Sequence, residues 1–179
     1  MWKSFSDPLL NLLSSHSETQ LDLLEARHAL EGISAYFAAL RGTEEDFARI
    51  QACVARIGEL QDAKDVETES ATVMEFLIAI TEAAHNVVLL HIVRSLAPLL
   101  EQNILQNFKL LRRRPEAVEK VSKHRANIVD AIVSGQPEKA REMSHSHLAY
   151  IEETLLDLTR EESRRERSLR RIQQGNEPQ

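Results

Sequence analysis

Cysteine, glycine, proline and aromatic residues are all scarce in this sequence of 179 residues. A single cysteine, Cys53, excludes an intramolecular disulfide framework and fits a reducing compartment, so the cytoplasm is the expected location. Five glycines, five prolines and 4% aromatic residues leave little material for turns and strands, which favours helices over a sandwich or barrel. No apolar run approaches the length of a membrane span, and no basic stretch leads into an apolar core at the N-terminus. Neither a span nor a signal peptide is therefore expected. A net charge of −6 argues against a general nucleic-acid-binding surface. The sequence also lacks a phosphate loop, a paired nucleophile and base, and a catalytic-cysteine signature. An enzyme is not expected, and Cys53, between Ala52 and Val54 in a helical stretch, reads as packing.

What is present is an apolar pattern at helical spacing. Hydrophobic residues make up 42% of the chain, enough for one core in a chain of single-domain length. "WKSFSDPLLNLLSS" suggests a short helix or turn. "SETQ" fits a capping box with Ser17 as N-cap and Gln20 at the third position, so a long helix should run from about Thr19 to Arg41. "TEED" at 43–46 starts a second helix, ending near Asp62, with acids suited to its N-terminal dipole. A third runs from near Asp65 to His85 and Asn86. A fourth follows through "NVVLLHIVRSLAPLLEQNILQNFKLLRRR", with Pro98 expected to kink it. Pro115 suits the first turn of a fifth and Gly135 its C-terminal stop, and Pro137 opens a sixth that continues past Leu158. The expected fold is all-α, an antiparallel bundle of six or seven helices. The tail from Arg160 mixes both charges at helical spacing and reads as a solvated helix extension, with a DNA or partner contact as the alternative.

Polar residues interrupt three of the apolar stripes. On the fifth helix, Val118, Val121, Ile128 and Ile132 form a stripe whose missing member is Arg125, next to His124. On the sixth, His147 falls among Ala140, Met143, Ile151 and Leu158. On the first long helix, Arg27 falls among Leu23, Leu30 and Phe37. Three basic or potentially basic groups should thus face one interior, and a buried charge needs compensation. Internal partners are available: Glu31, four residues after Arg27, and Glu75 or Glu82 for Arg125. The other reading is an anionic small molecule clamped by arginine. Metal is the rival for His124, His145 and His147. His145 and His147, two apart, do not share a helix face, and a converging set of three or four ligands cannot be assembled.

The segments "LLEARHALEGISAYFAAL", "TEAAHNVVLL" and "HRANIVDAIVSG…AREMSHSHL" together resemble the FCD domain. That is the C-terminal effector-binding domain of FadR-subfamily GntR-type bacterial transcription regulators. The resemblance covers essentially the whole chain and is nearest to the pyruvate-responsive repressors of that subfamily. It implies a homodimer, an N-terminal winged helix-turn-helix that binds DNA and is missing from this chain, and pyruvate as the effector. On that basis residues 1–16 should be a linker or short helix, 17–160 the effector-binding domain and 161–179 a charged tail. Many such domains hold a divalent metal. The corresponding positions here are Val73, Leu77, Arg125 (with His124 one place off) and His147, so the metal is not expected. The implied ligand-binding residues are Arg27, Arg125, His147 and His124. The alternatives are a metal-dependent sensor of another small carboxylic acid and a purely structural dimerisation bundle.

Overall fold

A computed structural model of the chain describes residues 17–175, with side chains described over 22–170. The short element expected before Ser17, and the side chains of the proposed Ser17–Gln20 capping box, lie outside the described residues. The helices are α1 (Ser17–Arg41), α2 (Glu44–Ala63), α3 (Val66–Ala83), α4 (Val87–Leu111), α5 (Pro115–Val133) and α6 (Pro137–Gly175). No strand occurs among the described residues.

Local chemistry sets most of the boundaries. Thr43 caps α2 in a reciprocal box with Asp46, and the side chains of Asp65 and Asn86 cap α3 and α4. Pro115 occupies the first turn of α5, where its missing N–H costs nothing. Gly135, at φ +62°, ends that helix, with Gly135 N–H donating to Ile132 and Gln136 N–H to Ala131. As expected, α4 is one helix that continues through Pro98. A residue that lacks one N–H can be carried when the neighbouring turns are packed, as Leu99 and Leu100 are.

Helix α3 is the central element, packed against α1, α2 and α4, while α6 packs against α1 and α5. Its apolar residues are buried on several sides, among them Val73, Met74, Phe76, Leu77 and Ile80. Its buried hydroxyls are satisfied within the helix: Ser70 donates to the Val66 carbonyl, Thr72 to Thr68 and Thr81 to Leu77, at 2.7–2.8 Å. By length and composition α4 is the one described helix apolar enough to cross a membrane, a test that long core helices also pass. Helix α6 is unbroken past residue 160, and residues 159–170 are exposed. Arg113 pairs with Glu162 at 3.3 Å and Arg114 with Glu161, which ties this extension to the α4–α5 corner.

Candidate functional site

A cavity of about 30 Å³ lies inside the bundle, between α1, α3, α4, α5 and α6. One water needs roughly 10–15 Å³ on this measure, so the space suits a few waters or a small acid and not a long chain. Its apolar wall comes from Val73, Phe76, Leu77 and Ile80 of α3, with Val93 and Leu100 of α4 and Ile128 of α5. Its polar wall comes from Arg27, Glu31 and Ser34 of α1, Thr81 of α3, Arg125 of α5, and Ser144 and His147 of α6.

Three of the four residues singled out in the sequence converge here. Arg27, Arg125 and His147 are all buried and all line the cavity. His124 is off the lining. Its ring stands edge-on to His147, with centroids 6.3 Å apart, and to Tyr150 at 5.3 Å. The helix phase thus turns Arg125 inward and His124 to the side.

The two arginines differ in how they are held. Arg27 Nε donates to Glu31 at 2.6 Å, and its Nη1 donates to Asn103 Oδ1 at 3.2 Å. Arg125, only 2% exposed, makes no ion pair among the described residues. Burial pushes its guanidinium down to about 10, against the pull of Glu69 and Glu31, so it stays charged at neutral pH. Neither Glu75 nor Glu82 serves it, contrary to the sequence expectation. Glu75 is exposed, and Glu82 pairs with Arg49 and Arg94 at 3.2 and 2.6 Å. The two glutamates are seven residues apart and share the face of α3 that turns away from the cavity. Glu69, a buried carboxylate whose field reaches Arg125, is taken by Arg112 at 2.6 Å.

His147 is neutral. Burial, then the fields of Arg125 and Arg27, push its imidazole well below the ordinary range. Its Nδ1 is buried with no hydrogen-bond partner, as is that of His124. A buried polar atom left without a partner is costly unless water or a ligand meets it. Beside the cavity, on the α1–α6 seam, His28 and His145 meet Nδ1 to Nδ1 at 3.1 Å. Burial, then His145, lowers the His28 imidazole. Gly32 makes room for this pair, since a Cβ there would lie 3.1 Å from His145 Nε2.

The residues at the family's metal positions do not fit a divalent ion. Val73 and Leu77 offer no lone pair, and Arg125 puts a fixed cation where a ligand would stand. His147 alone could donate. Among the described residues no three of His, Cys, Asp or Glu gather in a metal-binding group.

The sequence reading missed Ser34, Thr81, Ser144 and Asn103. Ser34 follows Arg27 by seven residues and Ser144 precedes His147 by three, so helical spacing placed both on the same faces. Asn103 reaches Arg27 across 76 residues of sequence, and no local pattern announces it.

A family profile for the FCD domain matches residues 22–150. A protein of Escherichia coli K12 described as an L-lactate dehydrogenase operon regulatory protein is 29% identical over 95% of this chain and 64% of its own length. The Glc operon transcriptional activator of the same organism is 29% identical over 86% of this chain and 61% of its own length. The HTH-type transcriptional regulator LutR of Bacillus subtilis is 28% identical over 84% and 68%. These relatives are regulators of transcription, not enzymes, and the chain spans about 64% of the length of the first. Among solved structures, a Streptococcus agalactiae GntR protein has the same fold, with a TM-score of 0.59 at 21% identity over 74% of this chain and 57% of that one.

Proposed function

This chain belongs to the FCD domain family, and from that premise we propose that it is the effector-sensing domain of a cytoplasmic bacterial transcriptional repressor whose signal is pyruvate. The observation that carries the ligand class is Arg125, a buried guanidinium with no carboxylate of its own. A bound carboxylate completes it by a charge-assisted, two-pronged contact. Arg27 and the neutral His147 contact the carboxylate or the keto oxygen, His124 backs His147, and the apolar wall of Val73, Leu77 and Ile80 receives the methyl group. The relatives' names, which refer to L-lactate dehydrogenase and Glc operons, support a small 2-oxo or 2-hydroxy acid. A fixed cation at the metal position makes this binding independent of divalent ions.

In the whole protein, binding would bias one arrangement of the helices over another and so alter operator binding by an N-terminal winged helix-turn-helix. The ligand can shift that balance only by its different affinity for the two arrangements. The protein acts as a homodimer; the exposed Val87, Val88 and Ile92 of α4 supply an apolar face for a second copy.

The test is calorimetric titration of pyruvate, L-lactate and acetate into EDTA-treated protein and into Arg125→Met. Saturable, pyruvate-selective binding that weakens at least about a hundredfold in Arg125→Met is expected, since hydrogen bonds to charged groups contribute about 1.5–3 kcal/mol each. Binding that requires an added divalent metal, or equal affinity in the variant, would sink the proposal.

A further inference from the structure

The charges on the cavity wall point to a property beyond the identity of one effector. Four titratable side chains line it: Arg27, Glu31, Arg125 and His147. Glu31 is only 10% exposed and bonds Arg27 at 2.6 Å, so these two cancel. The same pairing cancels Glu69 against Arg112 behind the wall. His147 shares the cavity wall with two guanidinium groups, where protonation would add a third positive charge. It therefore contributes hydrogen bonding but no charge. The cavity is left with one uncompensated positive charge, on Arg125.

We infer that Glu31 is the specificity-determining residue that restricts this cavity to singly charged carboxylates. It does so in two ways. It holds Arg27 in an internal pair, so that Arg27 cannot neutralise a second carboxylate. It also presents its own negative charge to the cavity, where water is too sparse to screen it. A dianion entering this space would meet one free cation and one fixed anion, with its second charge uncompensated in a poorly solvated site. A monoanion leaves the count balanced. Like-charge placement of this kind rejects wrong ligands more than it strengthens the right one. The inference rests on the cavity being the effector site.

Pyruvate and oxalate provide the test. They have the same number of heavy atoms and nearly the same shape, and oxalate carries a second negative charge where pyruvate has its methyl. Isothermal titration of each into the wild-type chain should favour pyruvate by about tenfold or more. In Glu31→Gln the amide oxygen still accepts from Arg27, and the preference should shift at least about tenfold toward oxalate. The double variant Arg27→Gln/Glu31→Gln restores a single positive charge and should restore the wild-type preference, which a merely structural role for Glu31 would not do. Equal binding of the two acids to wild type, an unchanged ratio in Glu31→Gln, or a double variant that keeps the shifted ratio overturns the inference while leaving the cavity as an effector site. Binding of neither acid to wild type overturns both.

Discussion

At the corner where α2 meets the α3–α4 turn, charges are brought together and closed. The buried Asp46 carboxylate accepts from the Thr43 backbone, from Arg49 at 3.0 Å and from His85 at 2.8 Å. Glu82 then ties Arg49 to Arg94. Two carboxylates meet two guanidinium groups and nothing is left over. The cavity starts from the same materials, helices with polar residues on their inner faces, and does not close. Arg27 and Glu31 complete each other, but Arg125 has no counterion and His147 keeps an unpartnered nitrogen. The closed corner serves the fold. The open cavity leaves polar groups for water or a ligand to meet, which a binding cluster would need and a structural one would not.

The largest effects should come from treating the two buried arginines alike. Arg27→Met strands Glu31 as a buried, unpaired carboxylate and should destabilise the fold by about 3–5 kcal/mol. Arg125→Met removes a charge that has no counterion. The ligand-free fold should then keep its stability or gain about 1–3 kcal/mol, even as effector binding is lost. Urea melts of both variants without ligand check this. Matching losses of stability would mean that Arg125 has a structural partner after all, and the contrast between corner and cavity would fail.

A smaller loss is expected at the closed corner. Asp46→Asn keeps the shape but removes the charge that Arg49 and His85 bond, at a cost of about 2 kcal/mol. Hydrogen bonds from Thr43, His85 and Arg49 hold the Asp46 carboxyl well below the usual carboxylate range, outweighing its burial. A depressed carboxyl contributes stability that is complete above its unfolded value near 4 and fades as pH falls through the lower folded value. The wild-type advantage over Asp46→Asn should therefore hold at pH 6 and shrink below about pH 4.

The corner was more legible in the sequence than the cavity. "TEED" announces the start of α2 by itself, because acids at a helix N-terminus are local chemistry within one turn; the reciprocal Thr43–Asp46 box came only with the structure. Pro115 and Gly135 marked their helix ends for the same reason. The inward placement of Arg27, Arg125 and His147 was also legible, since each interrupts an apolar stripe of fixed period. What spacing could not supply was who answers whom. Glu69 finds Arg112 across 43 residues, Arg27 finds Asn103 across 76, and Glu82 turns away from Arg125. Pairing across helices depends on how the helices are rotated against one another, which no single stripe records. The turns at Lys64 and His85 fall where the helix ends were expected, and only their backbone conformation was hidden. Both have positive φ, at 59° and 48°, without the glycine that usually signals it. At Lys64 the backbone bonds to Gln61 and Leu60 hold that conformation instead.

The pH axis sharpens the contrast most cheaply, because the two regions titrate in different windows. Burial first, then Arg125 and Arg27, keep the His147 imidazole well below its ordinary value in the folded chain. The unfolded chain takes up a proton near pH 6.5, so it binds more protons than the folded one below that point. Stability from this group is complete above about pH 6.5 and is lost as pH falls toward the lower folded value. His28 and His124, both lowered chiefly by burial, add to the same window. The cavity should therefore weaken from about pH 6.5 downward, while the Asp46 corner holds until about pH 4. In His147→Gln, about 1 kcal/mol of the stability lost between pH 7 and pH 5.5 should disappear, read from urea melts at both values. Saturating pyruvate should flatten the wild-type slope in the same interval, because its negative charge offsets the arginines that keep His147 neutral. A slope unchanged in His147→Gln would mean that this imidazole already takes up its proton in the folded chain, and that the cavity is wetter and better compensated than its geometry indicates.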